Sequence, residues 1–121
     1  MDEPRYQHLA DDALRELESM LEDVDAEDVD VERAGDVLTL SFRDGKKAVV
    51  NTQRPTRQIW LAANAHAWHF RWDEATSRWL DDRGQGVELF DRVAAIVKEH
   101  AGHEVSLSGR GAKGSAKPRP F

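Results

Sequence analysis

The sequence predicts an α+β fold, a two-layer sandwich with N- and C-terminal helices packed on one face of an antiparallel sheet of about six strands. Three observations predict it. Apolar residues near both ends recur at spacings of three and four. Those in between alternate with polar residues at period two. The connectors between these alternating runs are short, which makes neighbouring strands antiparallel.

The first segment reads as an amphipathic helix. Tyr6, Ala10, Ala13, Leu17, Met20 and Val24 form its stripe, widened by Leu9, Leu14 and Leu21. Asp2 or Glu3 caps its start, Pro4 suits the first turn, and the pattern stops near Asp23 to Asp25. Val29 and Val31 then alternate with Asp28, Asp30 and Glu32, giving a short strand with an acidic outer face. Ala34-Gly35-Asp36 is a turn, and Val37 to Phe42 a second strand. Asp44-Gly45 signals a two-residue hairpin into a return strand from Lys47 to Gln53, broken by Pro55. Gln58 to Ala63, Ala67 to Trp72 and a short run around Trp79 complete the sheet. A loop over 82–86 leads to a second helix from about Val87 to His100, with Leu89, Phe90, Val93, Ile96 and Val97 inward and Gly102 as C-cap.

A chain of 121 residues supports one domain, assigned to 1–107. Residues 108–121 hold three Gly, two Pro and four basic residues with almost nothing apolar, and are expected to form a disordered basic tail. With no Cys, disulfides, thiolate metal sites and cysteine nucleophiles are excluded. No apolar run approaches the roughly 18 residues of a membrane span. The acidic start Met1-Asp2-Glu3-Pro4 resembles neither a signal nor a transit peptide, so a cytoplasmic protein is expected. No serine lies in a nucleophile elbow, and there is no Walker loop or dinucleotide fingerprint.

The net charge of −6 is unevenly spread. Residues 1–32 hold 13 acids and two bases, a net of −11, and the remainder carries +5. On a helix Asp11, Arg15, Glu18 and Glu22 share a face, with Asp12, Glu16, Ser19 and Asp23 in the next row. Glu22, Asp23 and Asp25 crowd the C-terminal end, where the dipole favours cations and each acid costs roughly 0.3–1 kcal/mol. Asp28, Asp30 and Glu32 continue this ridge onto the first strand. Three readings fit it: solubility, docking on a basic protein, or weak binding of hard cations through oxygen ligands. His8, three and four residues before Asp11 and Asp12, could add a nitrogen ligand. No EF-hand spacing is present, and the ridge would repel nucleic acid.

On the fourth strand Ile59 and Leu61 face the core, so Trp60 points outward beside Gln58 and Ala62. Asn51, Gln53, His69 and Arg71 share that outer face, while Trp68, Phe70 and Trp72 form an inward row. An exposed Trp among amides suits an interface. His66 and His69, at i and i+3 on a strand, point to opposite faces and form no chelating pair.

The run Asn51-Thr52-Gln53-Arg54-Pro55-Thr56-Arg57-Gln58-Ile59-Trp60-Leu61-Ala62 resembles the signature of the frataxin family, in particular its bacterial CyaY type. His8-Leu9-Ala10-Asp11, Gly35-Asp36-Val37-Leu38-Thr39-Leu40, Trp68-His69-Phe70, Trp79, the Asp82-Arg83-Gly84 turn and Ala101-Gly102-His103-Glu104-Val105-Ser106-Leu107 agree with it, so that it spans about residues 6 to 107. The resemblance implies the same sandwich fold. It further implies an iron-binding regulator of iron–sulfur cluster assembly that docks on a cysteine desulfurase and iron–sulfur scaffold protein. Carried onto this chain, Asp11, Glu18, Glu22, Asp23 and Asp25 would meet ferrous or ferric iron, bound weakly. Asp28, Asp30, Glu32, Asn51, Gln53 and Trp60 would meet the partners. No bond-making step is implied. The alternative is a ferroxidase or iron-storage protein that oxidises and sequesters ferrous iron. A monomer is expected, able to form a metal-induced oligomer, with no nucleic-acid or membrane partner. Arg15 and Ser19 stand where bacterial members often carry further acids, and the basic tail lies outside the pattern.

Overall fold

The computed structural model describes residues 1–105. Helix α1 (Glu3–Met20) is followed by strands β1 (Val29–Ala34), β2 (Val37–Phe42), β3 (Lys47–Gln53), β4 (Gln58–Ala63), β5 (His66–Asp73) and β6 (Arg78–Asp81), and then by helix α2 (Leu89–Ala101). The strands pair in sequence order as one antiparallel meander, β1 to β6. Both helices place their apolar stripes on the same sheet face. Tyr6, Ala10, Ala13, Leu14 and Leu17 from α1 and Leu89, Phe90, Val93, Ile96 and Val97 from α2 close over Leu38, Leu40, Val50, Ile59, Leu61 and Phe70. The predicted sandwich is the observed one.

Local chemistry explains the boundaries. Asp2 accepts the Arg5 N–H at 2.9 Å and caps α1, and Gly102 ends α2 in the left-handed region at φ 72°. Helix α1 stops earlier than its stripe suggests. Leu21 is its C-cap, and i to i+3 bonds from Leu21, Glu22 and Val24 tighten the chain into turns. The last turn holds no basic residue to complement the dipole, while Glu18, Glu22 and Asp23 repel one another. Helix α2 starts at Leu89 rather than Val87, because Val87 exchanges hydrogen bonds with Asp81 and Glu88 is the N-cap.

The Asp44-Gly45 turn is not a two-residue hairpin. Residues 43–46 lie between β2 and β3, the Phe42 N–H donates to the Lys46 carbonyl, and Asp44 accepts the Lys46 N–H. The short loops are Gly35-Asp36 and Asn64-Ala65, the latter with φ of 54° and 64°. Strand β5 runs one residue further at each end than its alternation shows, since His66 pairs with Ala63 and Asp73 with Arg78. Among the described residues no helix is long and apolar enough to cross a membrane. The expected boundary at 107 and the basic tail lie outside the described residues.

Candidate functional site

The acidic ridge divides into two parts. Its helical half is neutralised. Arg33 extends from the helix-facing side of β1 and contacts Asp11 on α1 at 2.6 Å and Glu18 at 3.4 Å, with only 21% of its side chain exposed. Arg15 pairs with Asp11 at 3.4 Å and with Asp12, not with Glu18. His8 meets Asp12 at 3.4 Å. The Arg33 hydrogen bond holds the Asp11 carboxyl below its ordinary range, and the same contact raises Arg33. Sequence spacing on α1 alone misses Arg33. The signal for it is a lone base at the end of an alternating acidic strand, on the Val29–Val31 face.

Beyond Met20 the acids are different. Glu22, Asp23 and Asp25 stand exposed in the turns after α1, and Asp30 and Glu32 stand exposed on the outer face of β1. None of these five has a basic side-chain partner among the described residues; Asp25 only accepts the N–H of Glu27 at 2.9 Å. Asp28 is not one of the free acids. It is paired with Arg43 at 2.5 Å and His103 at 2.7 Å, and the His103 hydrogen bond, ahead of Arg43, lowers its carboxyl. With His100 on Asp44 at 2.7 Å, this ties the end of α2 to the β2–β3 loop.

The cross-strand register carries the outer face from the acids to the tryptophan. Asp30 and Glu32 oppose Ser41 and Thr39; Val37 opposes Asn51, Asn51 opposes Trp60, and Trp60 opposes His69. Gln53, Gln58 and Arg71 form the adjacent row. Successive strands lie about 4.8 Å apart, so the acidic edge and Trp60 are separated by about 14 Å. Trp60 is half-buried rather than open, because His69 stacks on it with centroids 4.2 Å apart and planes 15° from parallel. Its indole N–H donates to Gln58 Oε1 at 2.8 Å. The Gln58 Nε2 donates to Asp82 Oδ2 at 3.1 Å, and His69 Nδ1 lies 3.7 Å from that oxygen.

Among the described residues no three His, Asp or Glu side chains converge as a metal-holding group. The free carboxylates line an edge and enclose no centre, an arrangement suited to weak, exchangeable cation binding through oxygen. Asp11 and Glu18 would have to release Arg33 to take part.

A family model described as the frataxin-like domain matches residues 1–103. The chain belongs to the frataxin family. It is 36% identical over 109 residues to the iron–sulfur cluster assembly protein CyaY of Pseudomonas fluorescens, covering 90% of this chain and 97% of that one. The solved frataxin from Psychromonas ingrahamii superposes with a TM-score of 0.80 at 29% identity, over 88% of this chain and 98% of the other. Trimeric frataxin from Saccharomyces cerevisiae in its ferrous complex gives a TM-score of 0.67 at 30% identity, over 78% and 87%. Frataxin membership agrees with the order helix, six strands, helix.

Proposed function

We propose that this chain is a weak iron-binding regulator of iron–sulfur cluster assembly, acting by docking on a cysteine desulfurase and its scaffold protein in the cytoplasm. One observation carries the reading. The carboxylates without basic partners among the described residues line one border of the molecule, Glu22, Asp23 and Asp25 in the turns after α1 and Asp30 and Glu32 on the outer face of β1, the face that also carries the Asn51–Trp60–His69 row, with Trp60 three strands away. A line of unrelieved charge attracts a basic partner and speeds its encounter, and the half-buried Trp60 about 14 Å away on the same sheet supplies the apolar anchor. Iron meeting the same carboxylates competes with that partner, which couples docking to iron supply. Family membership and the assembly role carried in the relatives' name support this reading. Asp11 and Glu18, with Arg33 in place, serve the ridge as a neutralised shoulder.

Replacing Glu22 and Asp23 with Lys should weaken binding to the desulfurase at low salt by at least tenfold, about 1.4 kcal/mol. Unchanged affinity would refute ridge docking. The ferroxidase and storage alternative predicts faster oxygen uptake from ferrous iron when protein is added, and growth in particle mass. The docking reading predicts neither.

A further inference from the structure

We infer that Asp82 is a positioning residue for the Trp60 docking face, acting through the Gln58 amide. The inference deepens the docking reading above and rests on it for its binding consequence, though not for its geometry. An ionised carboxylate only accepts hydrogen bonds, and an indole N–H only donates. Gln58 lies between the two, its Nε2 on Asp82 at 3.1 Å and its Oε1 on the Trp60 indole at 2.8 Å. With an acceptor at one end and a donor at the other, the amide has one orientation that satisfies both. Gln58 is 4% exposed, so water cannot substitute for either partner. Its backbone carbonyl is also fixed, accepting the Tyr6 hydroxyl at 2.7 Å.

The same carboxylate faces His69, whose ring covers one side of the indole. Asp82 therefore restrains Trp60 twice: through the amide at its N–H edge and beside the ring stacked on its face. The placement of Asp82 is itself held. Its N–H donates to the His69 carbonyl at 2.8 Å. The neighbouring Asp81 side chain gathers the N–H groups of Arg83, Gln85 and Val87 at 3.3, 3.3 and 2.9 Å, which anchors the loop carrying Asp82. The family signature around Trp60 lies more than 20 residues away from Asp82 in the chain, so the link is visible only through the fold.

Fixing a side chain before it binds removes the cost of ordering it on contact. Asp82→Ala should therefore lower desulfurase affinity by about two- to tenfold. Asp82→Asn keeps an acceptor for Gln58 Nε2 and should stay within about twofold of the parent. The discriminating measurement is the set of tryptophan indole resonances in an amide-correlation NMR spectrum of the full chain, with Trp60→Phe to assign the relevant one. In Asp82→Ala the Trp60 indole resonance should shift and exchange faster with solvent, while those of Trp68, Trp72 and Trp79 stay in place. An unmoved Trp60 resonance overturns the inference, as does an Asn variant that perturbs it as much as Ala. If Trp60 moves but neither Asp82→Ala nor Trp60→Ala changes desulfurase affinity, the docking reading fails while the restraint itself stands.

Discussion

Arg33 is the cation on which the helical half of the ridge depends, and Arg33→Gln measures that dependence. The substitution leaves a stem of similar course in the strand but removes the charge from two carboxylates. Asp11 and Glu18 are each more than a third exposed, so solvent screens both pairs. The closer pair contributes about 0.5–1 kcal/mol and the longer one a few tenths, for a loss of roughly 1 kcal/mol. For a domain of this size that is a fall in melting temperature of about 4–6 °C. The assay is thermal unfolding by circular dichroism in low-salt buffer and again in 1 M KCl, where the Debye length contracts to about 3 Å and much of the difference should vanish. Acid should erase it too. Arg33 depresses Asp11, so its contribution is present above the ordinary carboxylate pKa and is lost as pH falls through the lowered value. A variant that melts with the parent at low salt, or whose deficit is identical in 1 M KCl, refutes the electrostatic account of the ridge.

Two further outcomes follow from the same structure. Asp28 and Asp44 are held low chiefly by His103 and His100, so their ties to the end of α2 hold above the ordinary carboxylate range and release as pH falls through the depressed values; amide exchange at 100–105 should accelerate there before global unfolding. Leu61→Ala, at a position 1% exposed in the centre of the sheet, should cost about 2–5 kcal/mol by denaturant unfolding, and a loss under 1 kcal/mol would contradict the core assignment.

Much of this was legible in the sequence because the two periodicities are physical. Strands β2, β3 and β4 begin and end where alternation begins and ends, and the five inward residues of α2 are those its stripe names. What escaped was chemistry that crosses between elements. Nothing within α1 reveals that Arg33 arrives from β1: spacing on the helix alone offers Asp11 and Glu18 only Arg15 as a partner. Asp28 looked like one more strand acid until His103, 75 residues away, closed on it. Helix α1 ended early for a reason already written in it: the repulsion at its last turn limits the helix as well as shaping the surface. With the helix gone, Glu22 and Asp23 are no longer held at i, i+4 spacing from Glu18 and Ser19. The exposed tryptophan was located correctly by alternation, but its partial cover by His69 depends on the β4–β5 register.

The meander has a consequence for how the molecule assembles. Every strand pairs with its neighbour in the chain, so the sheet is built from local contacts, which close quickly. The inner face of that sheet is covered only when helices from opposite ends of the chain land on it. Topology thus divides the fold into local strand pairing and long-range helix docking, so that losing either helix would open the apolar side of the sheet to a second chain.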